Sequence, residues 1–243
     1  MIKAILFDLD DTLLGNDMDK FIPPYFDMLG NHVAPRYPKD KFLQALLAST
    51  EAMINNQDTA VSNRDAFWSS FAHLTGQGPD ALEAYITTFY EDQFPQLQRV
   101  SEHRPIAADL VRTCLEQDWQ VVIATNPLFP RIAIEQRLVW AGVPVTEFPY
   151  ALVTAYENMS ATKPHPAYYA QILQKLDCAP ETAVMVGNDW GNDIEPAASL
   201  GLQTYWVTDN TTTPPDPTLV TAYGSLTDLH QRLQTGRLES RQD

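Results

Sequence analysis

Cysteine is scarce in this chain: the only two, Cys114 and Cys178, lie far apart in 243 residues. Such spacing suggests neither a disulfide framework nor a four-ligand zinc site. Positive charge is scarce as well. Sixteen Lys and Arg stand against 31 Asp and Glu, a formal net charge of −15. That balance argues against a nucleic-acid backbone or an anionic membrane as the main partner, and any positive site for an anionic substrate has to be built locally. Long apolar runs are missing too. No stretch approaches the roughly 18 residues that would span a bilayer, and the first apolar run is cut at Asp8, before a signal-peptide core would be complete. The expectation is a cytoplasmic protein with no nucleic-acid and no membrane partner. No internal repeat is present, and nothing in the pattern fixes an oligomeric state.

What is there is a chain with 44% apolar residues, enough for one large domain, or for a core domain carrying a smaller insertion. Residues 2–7 are continuously apolar apart from Lys3, as expected of a central parallel strand buried on both faces. From about residue 16 to residue 100 the period becomes helical. Phe42, Leu43, Leu46 and Leu47 mark one segment, Phe67, Phe71 and Leu74 the next, and Leu82, Tyr85, Ile86 and Phe89 a third that Pro79 opens. After Ser101 helices and strands alternate. Helices are expected over Pro105–Glu116, Arg131–Ala141, Pro166–Leu176 and Ser225–Leu233, with a short one after Asp193. Strands are expected over Gln120–Ala124, Ala183–Val186 and Gln203–Val207. Cys114 falls on the apolar stripe of the first of these helices and reads as core. Alternation of this kind gives an α/β fold, a Rossmann-like parallel sheet with helices on both faces. The block at 16–100 is then an all-helical domain inserted into a core made of 1–15 and 101–243. Asn210 to Pro217 reads as a surface loop, and the polar residues beyond Gly236 as a frayed end.

In open parallel sheets ligands bind beyond the carboxyl ends of the strands. Those positions hold Asp8-Leu9-Asp10-Asp11-Thr12, then Thr125-Asn126, then Gly187-Asn188-Asp189-Trp190-Gly191-Asn192-Asp193, with Lys163-Pro164 ahead of the last strand. Two unit charges as close as Asp8 and Asp10 repel by about 4 kcal/mol at an effective dielectric near 20. A cation therefore belongs with them. An EF-hand calcium loop also opens D-x-D, but its sixth position requires Gly and here is Leu13.

In this order the four segments resemble the signatures of the haloacid dehalogenase superfamily, whose members are mostly magnesium-dependent phosphatases. The resemblance spans residues 8 to 193, and the helical block resembles the family's cap domain. It implies Mg²⁺ as cofactor and a small phosphorylated metabolite as substrate. Asp8 would be the nucleophile that forms an aspartyl-phosphate and Asp10 the general acid and base. Lys163, Thr125 and Asn126 would bind the phosphoryl group, the last two at the start of a helix opening near Pro127. The metal would be held by Asp8, by the backbone carbonyl of Asp10 and by an acidic residue of the fourth segment. There the sequence departs from the family: aligned on Gly187, Asn188 stands where the first Asp belongs, whereas a shift of one makes Asp189 the ligand, with Asp193 orienting waters or Lys163.

Bland readings stand beside these. The S-A-T-K-P context is expected to keep Lys163 exposed, and Asn192 or Asp193 would cap a helix start. Arg36 to Lys41 reads as a solvated helix start. The dehalogenase branch lacks the second Asp of D-x-D, so Asp10 speaks against carbon–halogen hydrolysis. A phosphomutase of the same superfamily is an alternative function, and a non-catalytic binding module on the same fold is another, encouraged by Asn188.

Overall fold

The computed structural model describes residues 1–209, 211–235 and 238. The expected frayed end beyond Gly236, Leu238 aside, and Asn210 of the expected loop lie outside the described residues. The chain begins with β1 (Ala4–Phe7), every residue of which is buried, followed by the two-residue strand β2 (Leu14–Gly15). Four helices come next: α1 (Met18–Val33), α2 (Lys39–Ile54), α3 (Asn63–Thr75) and α4 (Pro79–Asp92). Local chemistry sets their ends. The Asp17 carboxylate caps α1, Ser62 caps α3, Gly76 ends α3 in the left-handed region at φ 70°, and Pro79 occupies the first turn of α4. A 3₁₀ segment, Phe94–Val100, leads into β3 (Glu102–His103). Gly15 lies opposite Glu102 and Leu14 opposite His103 in an antiparallel pair, so the chain leaves and rejoins the sheet region through β2 and β3.

The alternating part follows: α5 (Ile106–Glu116), β4 (Gln120–Ile123), α6 (Arg131–Trp140), β5 (Leu152–Val153) and α7 (Pro166–Leu176). After these come β6 (Ala183–Gly187), α8 (Glu195–Ser199), β7 (Gln203–Val207), β8 (Ala222–Gly224) and α9 (Leu226–Gln234). Six strands form one sheet in the order β5-β4-β1-β6-β7-β8, and every pair is parallel. The continuous apolar run puts β1 at its centre, Phe7 lying between Ile123 and Val186. Cys114 is fully buried on α5, as its stripe predicts, and burial pushes its thiol up to about 12.

The inserted helices carry an aromatic core of their own. Phe42 packs edge-on against Phe71, and Phe89 against Phe94. Phe21 and Phe94 carry this cluster onto Trp140 of α6, with ring centroids at 6.4 and 5.4 Å. The amides of Asn63 and Arg64 donate to the carbonyls of Met159 and Tyr156 (2.8 and 2.9 Å), which seats the start of α3 on a loop of the sheet region. One expectation fails here. The helix after β4 opens at Arg131, not near Pro127; the intervening residues turn back on themselves, Leu128 N donating to Asn126 O at 2.8 Å.

Candidate active site

The C-terminal ends of β1, β4 and β6 converge, and the residues that follow them line one cavity of about 390 Å³ together with Lys163. Asp8, Asp10, Thr125, Asn126, Lys163, Asn188, Asp189 and Asp193 all contribute to its wall. At its floor Lys163 Nζ donates to Asp8 Oδ1 (2.7 Å) and to Asp193 Oδ1 (2.6 Å). The expectation of an exposed Lys163 is wrong: the residue is 4% exposed. Two carboxylates drawn from distant segments offset the cost of burying its ammonium. Burial alone would push Lys163 down, but Asp193 and Asp8 hold it well above its usual value, so the charge persists. Burial pushes the Asp8 carboxyl up to about 7; the Lys163 ammonium opposes the rise and the Asp193 carboxylate adds to it. Burial raises Asp193 in the same way, against the pull of Lys163.

Asp193 reaches the lysine because Gly187 leaves room. A Cβ at Gly187 would sit 2.1 Å from Asp193 Oδ2. That oxygen also accepts from the backbone N–H of Asp189 (3.0 Å). Between them Trp190–Ile194 forms a π turn, which spends one residue more than an α turn. This wide turn is the physical form of the one-residue ambiguity in the sequence spacing. The turn is capped by Asp189, whose carboxylate accepts from Asn192 N (2.9 Å) and Asn192 Nδ2 (2.8 Å), rather than by Asn192 or Asp193 as expected. Asn188 Oδ1 accepts from the Thr12 hydroxyl at 3.0 Å.

Thr125 is held by its carbonyl, which accepts from the hydroxyls of Thr154 (2.7 Å) and Tyr168 (2.8 Å). Asn126 Oδ1 accepts from Lys163 N at 3.2 Å, tying the two loops together. Both residues sit in a loop rather than at a helix N-terminus.

Two residues in this cavity were missed by sequence reasoning. Arg137 of α6 is 1% exposed and its Nη1 donates to Asp10 Oδ2 at 2.5 Å. Asn16 Nδ2 donates to Asp10 Oδ1 at 2.7 Å. Arg137 carried a signal: it falls on the buried stripe Ala133, Ile134, Arg137, Leu138 of its helix, and a charge on an apolar stripe implies a buried partner. Asn16 carried none. Behind the aspartate loop, Arg104 Nη1 donates to the carbonyls of Asp11 (2.5 Å) and Thr12 (2.7 Å), holding a turn in which Asp11 takes φ 55°.

The donor set suits a hard cation. Of the side chains on the cavity wall, Asp8, Asp10 and Asp193 are ion-paired with Lys163 and Arg137, and Asp11, Asp17, Asp19 and Asp189 add further carboxylates, so negative charge is in excess. Among the described residues no three His, Cys, Asp or Glu side chains gather as a metal cluster. An ion here would therefore draw on one or two carboxylates, backbone or amide oxygens and water, the mixed shell that Mg²⁺ prefers.

Comparison with known proteins shows the family and the fold. A pyrophosphatase, PpaX of Bacillus cereus, is 24% identical over 203 residues, 84% of this chain and 82% of that protein. The crystal structure of a 2-haloacid dehalogenase from Pseudomonas syringae pv. tomato superposes over 97% of this chain and 100% of its own, with TM-score 0.64 and 19% identity. The HAD hydrolase YfnB of Bacillus subtilis, solved bound to magnesium, covers 96% of this chain and 98% of its own, with TM-score 0.55 and 20% identity. The sequence profile of the haloacid dehalogenase-like hydrolases matches residues 2–201. This chain is an enzyme of that family, a haloacid dehalogenase-like hydrolase.

Proposed function

We propose that the protein is a Mg²⁺-dependent phosphatase that hydrolyses a small phosphorylated metabolite through an aspartyl-phosphate on Asp8. The observation that carries this reading is the buried Asp8–Lys163–Asp193 triad opening into the same cavity as Asp10, Thr125 and Asn126. The magnesium carried by the YfnB structure supports the choice of ion. Mg²⁺ held by Asp8, the Asp10 carbonyl and either Asn188 or Asp189 would offset phosphoryl charge and polarise the phosphorus–oxygen bonds.

The chain's own residues do the rest. Lys163 fixes Asp8 Oδ1, and Oδ2, which has no hydrogen bond among the described residues, attacks phosphorus. Lys163, the Thr125 hydroxyl and the Asn126 amide hold phosphoryl oxygens in line. Asp10 gives a proton to the departing alkoxide, then as a carboxylate takes one from the water that cleaves the acyl-phosphate. Arg137 and Asn16 fix both of its oxygens, so the carboxyl does not rotate away between the two steps. Asp193 holds Lys163 in place. In this reading residues 1–15 and 101–243 form the core and 16–100 a cap that excludes water and selects the leaving group. The presence of Asp10 disfavours the dehalogenase alternative, which needs no acid for an alcohol.

Replacing Asp8 by Asn tests the reading. Phosphate release from a phosphomonoester panel in the presence of Mg²⁺ is expected to fall by at least about 10³-fold, with the unfolding temperature kept or raised. Undiminished release would refute the mechanism.

A further inference from the structure

A second cavity, also about 390 Å³, lies between the inserted helices and the loop after β4. Leu128 and Phe129 belong to its wall and to that of the catalytic cavity. The Phe129 ring centroid is 4.7 Å from Arg137 Cζ, and Arg137 holds Asp10. The second cavity is therefore linked through two side chains, Phe129 and Arg137, to the carboxyl that would protonate the leaving oxygen.

Its wall is apolar by type, with Phe26, Leu29, Leu46, Phe67 and Ile86 among its residues. More telling is the state of its polar side chains. The hydroxyls of Tyr25 and Tyr90 bond each other at 2.9 Å. Thr50 and Thr87 donate to the carbonyls of Leu46 and Glu83 in their own helices (both 2.9 Å). Tyr156 donates to Glu83 Oε1 at 2.8 Å, and Glu83 is ion-paired with Arg64. Both oxygens of Glu157 accept from Arg131 N. The Trp68 indole N–H lies in the Glu83–Tyr156 cluster without a well-formed bond. Beyond one hydroxyl hydrogen of the Tyr25–Tyr90 pair and the Trp68 indole N–H, a sugar or nucleoside entering here would find few uncommitted donors to replace the water it loses, which is costly. An alkyl or aryl group meets no such penalty. The volume is within the roughly 300–1,000 Å³ of small-molecule sites.

We propose that this cavity receives the carbon skeleton of the substrate, and that the substrate is the phosphomonoester of an apolar alcohol, alkyl or aryl, rather than a sugar or nucleoside phosphate. The proposal rests on the phosphatase reading above. The phosphate would sit on Lys163 with its ester oxygen at Asp10, and the chain would run past Phe129 between α1, α2 and α4.

The test uses the full-length protein with Mg²⁺ and the n-alkyl phosphates from methyl to octyl, beside glucose 6-phosphate and glycerol 3-phosphate. The kcat/KM is expected to rise about fourfold for each added methylene until the cavity is full. Octyl phosphate should exceed both polyol phosphates. Separately, n-octanol without metal or phosphate is expected to shift the tryptophan emission of the native protein and not that of Trp68→Phe, and to inhibit octyl phosphate hydrolysis competitively. Leu46→Trp, which narrows the cavity, should lower the octyl-to-methyl ratio of kcat/KM at least tenfold. A flat or falling chain-length profile with hydrolysis intact, or octanol without effect on octyl phosphate, would overturn the proposal. Octanol binding with no ester hydrolysed would instead overturn the phosphatase reading.

Discussion

At the scale of single residues the chemistry turns on how buried charges are paired. Asp8 has an ordinary value of 3.8 and is pushed up to about 7, chiefly by burial. A folded-state value above the unfolded one means the acid form is favoured in the native protein. Its contribution to stability is full below about pH 4 and declines as pH rises towards about 7. A divalent cation can take the place of that proton. Mg²⁺ should therefore raise the unfolding temperature more at about pH 8 than at about pH 5.5, a difference readable by calorimetry. Arg137 and Asp10 offer a second test. Asp10 keeps 16% side-chain exposure, so Arg137→Met should cost about 3 kcal/mol, the lower end for breaking a buried ion pair. Adding Asp10→Asn to it should recover part of that loss in urea unfolding. Asp8, Asp10, Thr125 and Asn126 were legible in the sequence because each follows a recognisable buried strand, and Lys163 because the segment ahead of α7 resembles the family's third signature. The burial of Lys163 was not, since the carboxylates that permit it lie 155 and 30 residues away in the chain.

At the scale of elements, two local devices shape the catalytic loops. The closeness of Asp193 to Gly187 makes the glycine a steric requirement: Gly187→Ala places a methyl where Asp193 Oδ2 now lies. It is expected to destabilise the fold by about 1–3 kcal/mol, and to lower kcat by more than the fraction unfolded explains, because Asp193 must leave Lys163. Arg104 clamps the Asp11 and Thr12 carbonyls. Its replacement by Ala should speed amide hydrogen exchange over residues 12–14 while exchange in β6 stays as it was. The longer elements were legible from periodicity, with α7 and β7 matching to the residue. The strands β5 and β8, two and three residues long, carry too little pattern to be seen. The capping role of Asp189 was hidden for a related reason: a π turn has no sequence period of its own to announce it.

For the whole molecule, net charge sets the approach of substrate. A surface carrying −15 repels a phosphate dianion before Lys163 and Arg137 can attract it. Raising NaCl from about 10 to 150 mM screens that long-range repulsion more than the short contacts, so kcat/KM for an anionic ester should increase. Helical periodicity exposed the helices between β2 and β3. The polarity of the space they enclose was invisible, because tyrosines, threonines and a glutamate look hydrophilic until their partners are known. The insertion also departs and returns at adjoining points, Gly15 facing Glu102. A segment tethered in this manner is a cassette: it can be lengthened, trimmed or traded whole while the six strands beneath keep their register. Under the proposed function, exchanging it would change which alcohol is released without disturbing how the ester bond is cut.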